Sequence, residues 1–449
     1  MLEKPMILFS RNMGILMRNS PSELETVPIF VPVRYILAKM MGLPVWLSRT
    51  FPWNDWYAVE SWYTRAERIL PAWRSENRKP SKRKTKQKHR KIFCVFIFLL
   101  FWLSTKVIKR NNFYIETKSI IFMESIRWGM IGCGDVTEKK SAPSFNKVNG
   151  SSLYGVFSRT ESRAMDYAAR HQVPHVYDSA GSLVNDPAID AVYVATPPSS
   201  HAEYAILAMR AGKPVYVEKP MAVDYRGCVE MNQVASETGV PLFVAYYRRS
   251  MDYFLKVKEL LQQQAIGKVL MVQSSLILPP REEDLDRLNL PWRVRPEISG
   301  GGYFYDMGCH ALDILSFCFG KYRSAEGWYA NTGGLYPAED TITASLVFEN
   351  GLLYTGSWCF VAAEESSTDV IEIIGDRGRI RFSCFQFSPI EWMRGKDHRE
   401  FAIDPPVHVQ LPMIRTVVEE LLGQGTCPSR GDSAAHINWV MDKILGKLS

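Results

Sequence analysis

From residue 124 onward, short apolar runs alternate with helical patterns, and that alternation leaves few folds open. The runs lie at 126–131, 152–157, 191–195, 215–217 and 242–245. Apolar residues at helical spacing fill 161–170, 201–211 and 225–238 between them. Strands this short and this uniformly apolar are buried on both faces, so they predict βαβ units and a parallel sheet. Groups at the carboxyl edge of such a sheet are where ligands of open α/β proteins sit.

After about residue 247 the period changes. A helix at 254–263 is followed by extended, alternating stretches at 268–278, 341–348, 352–358, 370–374 and 379–382. Asn350-Gly351 and Asp376-Arg377-Gly378 read as hairpin turns that tolerate positive φ. Helices near 417–422 and 434–445 close the chain. The expected fold is an α/β Rossmann-type parallel sheet followed by an α+β domain with an open, mostly antiparallel sheet. The expected boundaries are 123–246 for the parallel-sheet domain and 247–449 for the open-sheet domain.

Residues 1–122 read differently. They hold about 22 Lys and Arg against about 8 Asp and Glu, near +14, whereas the remainder is near −7, so the overall +7 hides two unlike parts. The acidic remainder gives no reason to expect nucleic-acid binding. A basic run, 79–91, precedes an apolar run of about 12 residues, 92–103, short of the roughly 20 needed to cross a bilayer. Two expectations follow: a membrane-associated chain if that segment acts as an anchor, or a cytoplasmic protein whose natural start is Met123. Eight scattered cysteines with no CxxC pair fit reduced thiols, and no metal-ligand spacing is evident.

Gly132-x-Gly134 follows the first strand and precedes a helix opened by Asp135 and Val136. The first glycine permits a tight turn, and the second lets backbone approach a pyrophosphate. Thr137 stands where a third Gly or Ala is usual. At the second strand's tip, Ser158-Arg159-Thr160 and Arg163 replace the acidic residue that would bind an NAD ribose. A guanidinium there suits a 2′-phosphate, so NADP is expected over NAD. Thr196-Pro197 ends the next strand and His201 opens a helix. Both are candidates for the cofactor's edge, as is Glu218.

Lys219 follows the strand 215–217 and should point toward the nicotinamide end. If desolvated, it can exchange protons near neutrality; otherwise it is a fixed cation on a carbonyl oxygen. Asp306 and His310 are four apart in a helical pattern, which would place them on one face. His310 is the candidate proton carrier, with Asp306 orienting it or holding a hydroxyl. Arg248, Trp292 and Arg293 are candidates for a sugar or polyol pocket, with an interdomain salt bridge as the competing role for Arg248 and Arg249.

Together, Glu218-Lys219-Pro220 and Asp306-x-Gly308-x-His310 resemble the two motifs of the glucose–fructose oxidoreductase/inositol dehydrogenase/MocA (Gfo/Idh/MocA) family across about 124–449. The resemblance implies that Lys219, Asp306 and His310 are catalytic and that Pro220 follows a cis peptide bond. It implies an open sheet buried in a homodimer or homotetramer, and a substrate among sugars, inositols, dihydrodiols or biliverdin. Arg159 is similar to NADP-using members. The expected activity is hydride transfer that interconverts a hydroxyl and a carbonyl. A non-catalytic NAD(P)-binding sensor or scaffold is the alternative.

Overall fold

The computed structural model describes residues 6–10, 14–18, 31–32 and 125–448. The chain divides into two compact units, 1–120 and 121–449. In the first, strands β1 (Met6–Ser10), β2 (Gly14–Arg18) and β3 (Val31–Pro32) form an antiparallel sheet. The apolar run 92–103 lies outside the described residues. Among the described residues, no helix is long and apolar enough to cross a membrane.

The second unit holds two sheets. β4 (Ile126–Ile131), β5 (Ser151–Phe157), β6 (His175–Val176), β7 (Ala191–Val194), β8 (Val215–Val217) and β9 (Leu242–Val244) form a six-stranded sheet in the order β6-β5-β4-β7-β8-β9. Every pairing in it is parallel. All residues of β7, β8 and β9 are buried, because helices cover both faces and leave no polar side to alternate with. Within this sheet the chain enters at β4, runs outward to β6, then returns to β7 on the other side of β4. That reversal opens a crevice at the carboxyl ends of β4 and β7.

The eight-stranded sheet runs β11-β12-β13-β10-β14-β15-β16-β17. Its strands are β10 (Val269–Ile277), β11 (Tyr322–Ala330), β12 (Thr341–Phe348), β13 (Leu353–Cys359), β14 (Thr368–Gly375), β15 (Arg379–Phe382), β16 (Ile390–Arg394) and β17 (Asp397–Phe401). Only β10–β13 is parallel. β12 alternates between buried Ile342, Ala344 and Leu346 and outward Thr343 and Ser345, as a sheet covered on one face must. Gly351 has φ +85° in its hairpin, as expected. Gly378 does not adopt positive φ; it is small because a Cβ there would lie 2.2 Å from the Met393 carbonyl oxygen.

The C-terminal chain returns to the first sheet. Ser429 Oγ donates to the Val244 carbonyl at 2.7 Å, and Arg430 bridges Phe243 beside β9. The helix Gly431–Ile444 then packs against the helix Tyr225–Thr238 and against β11, tying the two sheets together.

Candidate active site

A cleft of about 580 Å³ opens at the reversal point. Its floor is the turn after β4. Gly132 has φ +102°, and a Cβ there would sit 2.8 Å from the Ala195 carbonyl, so only glycine lets β4 and β7 approach this closely. Gly134 meets nothing within 4 Å and presents bare backbone to the cleft. Thr137 is fully buried at the position of a third glycine; its hydroxyl turns back to donate to the Gly134 carbonyl at 2.6 Å. The helix Asp135–Lys139 is short, and a second helix, Ala142–Phe145, starts after a two-residue gap with Pro143 in its first turn.

Asp135, Val136, Ser158, Arg159, Arg163, Thr196 and Pro197 all line the cleft. Neither Arg159 nor Arg163 has a side-chain protein partner among the described residues, so two guanidinium groups are open at the tip of β5. These features fit a dinucleotide: a backbone cradle at Gly132–Gly134 and donors for phosphate at one end.

His201 is elsewhere. It is completely buried, with Nε2 2.7 Å from the Thr196 carbonyl and Nδ1 3.0 Å from the Pro220 carbonyl. Burial drops its pKa to about 4. It braces the two strand tips beneath the cleft rather than facing it, so its expected place at the cofactor is corrected.

Glu218 lines the cleft but faces inward. Its Oε1 accepts from the Tyr193 hydroxyl and from Gln410 Nε2, both at 2.6 Å. The peptide bond between Lys219 and Pro220 is cis. Lys219 Nζ donates to Asp306 Oδ1 at 2.6 Å and to the Asp306 carbonyl at 2.8 Å. Arg293 Nε lies 3.4 Å from Asp306 Oδ2. Burial would lower the Lys219 pKa, but the Asp306 carboxylate outweighs it and holds the ammonium above its ordinary value. Against its own burial, Asp306 is held at about 2 by Lys219 and then Arg293. Lys219 is therefore a locked cation, and the expectation of a lysine that exchanges protons near neutrality is not met.

His310 is 3% exposed and lines the same cleft. Tyr246, Tyr247 and Phe385 surround its ring, with Tyr247 and Phe385 centroids at 5.5 and 5.7 Å. Its Nδ1 is buried without a partner. Burial, then Arg248, Lys219 and Lys140, push its pKa well below the ordinary histidine value. Asp306 makes no hydrogen bond to it. The reason is local: Phe304–Gly308 is a π turn and Cys309–Phe319 is α-helical, so the four-residue spacing does not stack the two side chains as in a regular helix. Asp306 orients Lys219 instead.

Trp292 and Arg293 line the same cleft. Arg248 does not. It is 2% exposed behind Tyr247 and Phe385, with Nε donating to the Cys384 carbonyl at 3.0 Å. Its neighbour Arg249 forms a buried ion pair with Asp313 at 2.5 Å. Sequence reasoning missed Tyr247, Arg281, Phe385 and Gln410, all of which line the cleft. Gln410 comes from a segment 192 residues beyond Glu218, and no local pattern announces such a contact.

Residues 126–246 match the model for the oxidoreductase family with an NAD-binding Rossmann fold, and residues 254–381 match the Gfo/Idh/MocA C-terminal domain. Oxidoreductase P35 of Formosa agariphila is 36% identical over 325 residues, spanning 72% of this chain and 100% of that protein. The trans-1,2-dihydrobenzene-1,2-diol dehydrogenase of Bos taurus is 27% identical over 63% of this chain and 81% of its own. Among solved structures, levoglucosan dehydrogenase in complex with NADH and levoglucosan superposes with a TM-score of 0.65 at 19% identity, covering 72% of this chain and 96% of that one. The two matched domains and the full-length likeness to P35 make this chain an oxidoreductase of the Gfo/Idh/MocA family.

Proposed function

We propose that this protein uses NADP to interconvert a hydroxyl and a carbonyl on a sugar-like or cyclic polyol substrate. The observation that carries the reading is the Lys219–Asp306 ion pair sharing one cleft with His310, whose Nδ1 is unpartnered, and the Gly132–Gly134 cradle. Names of relatives agree with it: a dihydrodiol dehydrogenase, and a 1,5-anhydro-D-fructose reductase of Ensifer adhaerens that is 26% identical over 51% of this chain.

When bound, the nicotinamide supplies the hydride acceptor or donor. The protein supplies the rest. Lys219, fixed by Asp306, donates a hydrogen bond to the reacting oxygen and stabilises the negative charge that builds on it. In the oxidative direction, the carbon gives up a hydride and His310 takes the hydroxyl proton, leaving a carbonyl. Its depressed pKa keeps His310 neutral and ready to accept, and makes the protonated ring a strong donor in reverse. Tyr247, Phe385 and Trp292 narrow the space and exclude water.

NADP is favoured by Arg159 and Arg163, which line the cleft at the tip of β5 and form no ion pair among the described residues. Initial rates with both reduced cofactors test it. NADPH should exceed NADH in kcat/KM by at least about tenfold, the scale of one charge-assisted contact, and Arg159→Ala should narrow the gap. Equal or better rates with NADH remove the assignment. We also propose that the outer face of the open sheet meets a second copy of the chain.

A further inference from the structure

In β14, Ile371 and Ile373 point into the core, and the two-residue period puts Asp369 on the same side. A carboxylate breaks the apolar pattern of that face. Its partners are backbone groups. β15 ends at Phe382, opposite Ile371, so Cys384 would next face Asp369 if the ladder continued. It does not continue. The N–H groups of Cys384, Phe385 and Gln386 donate to the Asp369 carboxylate at 2.9, 2.7 and 2.9 Å. Three charge-assisted bonds to one side chain turn the chain out of the sheet.

The rest of the turn is held as firmly. Tyr253 Oη accepts from the Ser383 N–H at 3.0 Å and donates to the Ser388 carbonyl at 2.7 Å. Phe387 has φ +52°, a backbone that a bulky residue keeps only where its surroundings impose it. What this turn delivers is Phe385. Its ring lies 5.7 Å from that of His310, centre to centre, and Arg248 Cζ lies 4.6 Å from the Phe385 ring centre. Arg248 forms no ion pair among the described residues, so the rings of Phe385 and Tyr247 receive its charge. Asp369 itself does not line the cleft.

We propose that Asp369 is a positioning residue for the reaction: by gathering three N–H groups it holds Phe385 against His310 and Arg248 and keeps water from the proton-accepting ring. This rests on the hydride-transfer reading above and deepens it. The charged groups facing His310 are Arg248, Lys219 and Lys140, with Tyr246 and Tyr247 beside it; Asp306 is engaged by Lys219 and Arg293, and Asp313 by Arg249. Asp369 is not among the charges that act on the ring. Loss of its negative charge could only lower the His310 pKa, whereas admitting water raises it toward the ordinary value. The two effects have opposite signs and are separable.

The test reads His310 by NMR of the full chain carrying ¹³C-labelled histidine. With eight histidines in the chain, the signal lost in His310→Asn assigns it. In the wild type that signal should stay flat between about pH 5.5 and 8, around the ordinary histidine value of about 6.5. Asp369→Ala should bring its titration into that window. Asp369→Asn, which keeps the size and one acceptor, should shift it the same way and decides the matter if the alanine variant does not fold. Phe385→Ala should reproduce the shift, and adding Asp369→Ala to it should move the midpoint no further. With NADP⁺ and whichever of glucose, galactose and myo-inositol the wild type oxidises fastest, the Asp369 variants should lose about tenfold or more in kcat, part of the 10²–10⁴-fold that a positioned proton acceptor contributes. NADPH affinity by fluorescence should be unchanged. A His310 signal that stays flat in the Asp369 variants, one that already titrates near 6.5 in the wild type, or a shifted signal with unchanged kcat would each overturn the proposal. No oxidation of any of the three compounds by the wild type would tell against the sugar reading, and the NMR arm then decides by itself whether Asp369 holds Phe385 over His310.

Discussion

Lys219 carries two charges' worth of information in one contact. Its ammonium is held by a carboxylate and a carbonyl of the same residue, so in the proposed scheme it meets the substrate oriented and charged. Lys219→Met should lower kcat by roughly 10²–10⁴-fold, the usual range for a lost proton-handling or polarising group, with NADPH affinity changed less than about threefold. Retained turnover would take Lys219 out of the chemistry. In the proposed scheme His310 sets the pH dependence. Arg248, Lys219 and Lys140 face it as cations, and Tyr246, Tyr247 and Phe385 seal it from water. The neutral ring is the form that accepts a proton, and its pKa is depressed. Oxidation should therefore stay flat through the ordinary histidine range, about pH 6–7. Arg248 is a positioning residue in this scheme. Arg248→Met removes a cation that opposes protonation, so the acid limb of kcat/KM should move upward in pH; an unmoved limb contradicts the arrangement. The identities of Lys219, Asp306 and His310 were legible because their residue types and spacing form a motif. Their pairing was not, since a π turn leaves no mark in hydrophobic period.

At the scale of elements, the turn after β4 is the proposed seat of the cofactor. Gly132→Ala must place a side chain at φ +102° and 2.8 Å from the Ala195 carbonyl. The backbone conformation alone costs roughly 1–2 kcal/mol. We expect NADPH affinity to fall at least about tenfold by fluorescence titration, with a lower Tm; a variant that binds normally would show that β4 and β7 can part without loss. This turn was readable from sequence because a glycine pair between a strand and a helix has few other uses. The parallel strands were readable for a related reason: burial on both faces leaves an uninterrupted apolar run. β11, β16 and β17 were not. β11 mixes Tyr322 and Ala325, turned inward, with exposed Arg323, Glu326 and Trp328, and β17 is exposed along nearly its whole length. Such strands are specified by their neighbours in the sheet rather than by their own pattern. The same holds for Gln410, which reaches Glu218 only because the C-terminal chain folds back over the first sheet.

For the whole molecule, the proposed assembly turns on the side of the eight-stranded sheet that is left exposed among the described residues. Trp328 pairs with Thr343 and Leu353 with Val347, all on the face opposite buried Ile342 and Tyr354. Trp328 is 68% exposed and Leu353 56%. A broad sheet presenting large apolar side chains among Ser and Thr is a surface that a second copy can cover, and doing so removes an aggregation hazard. Glu372 pairs with Arg379 and Arg381 with Glu391, so charges of both signs lie beside the apolar residues and an isologous dimer can set them against one another. Light scattering after size exclusion should give an even multiple of the chain mass. Trp328→Lys combined with Leu353→Lys puts like charges across that contact and should yield monomers with an unchanged circular dichroism spectrum. Both positions lie outside the cleft, so the monomer separates assembly from chemistry: a wild-type protein that elutes as a monomer, or a double variant that still assembles, places the contact elsewhere.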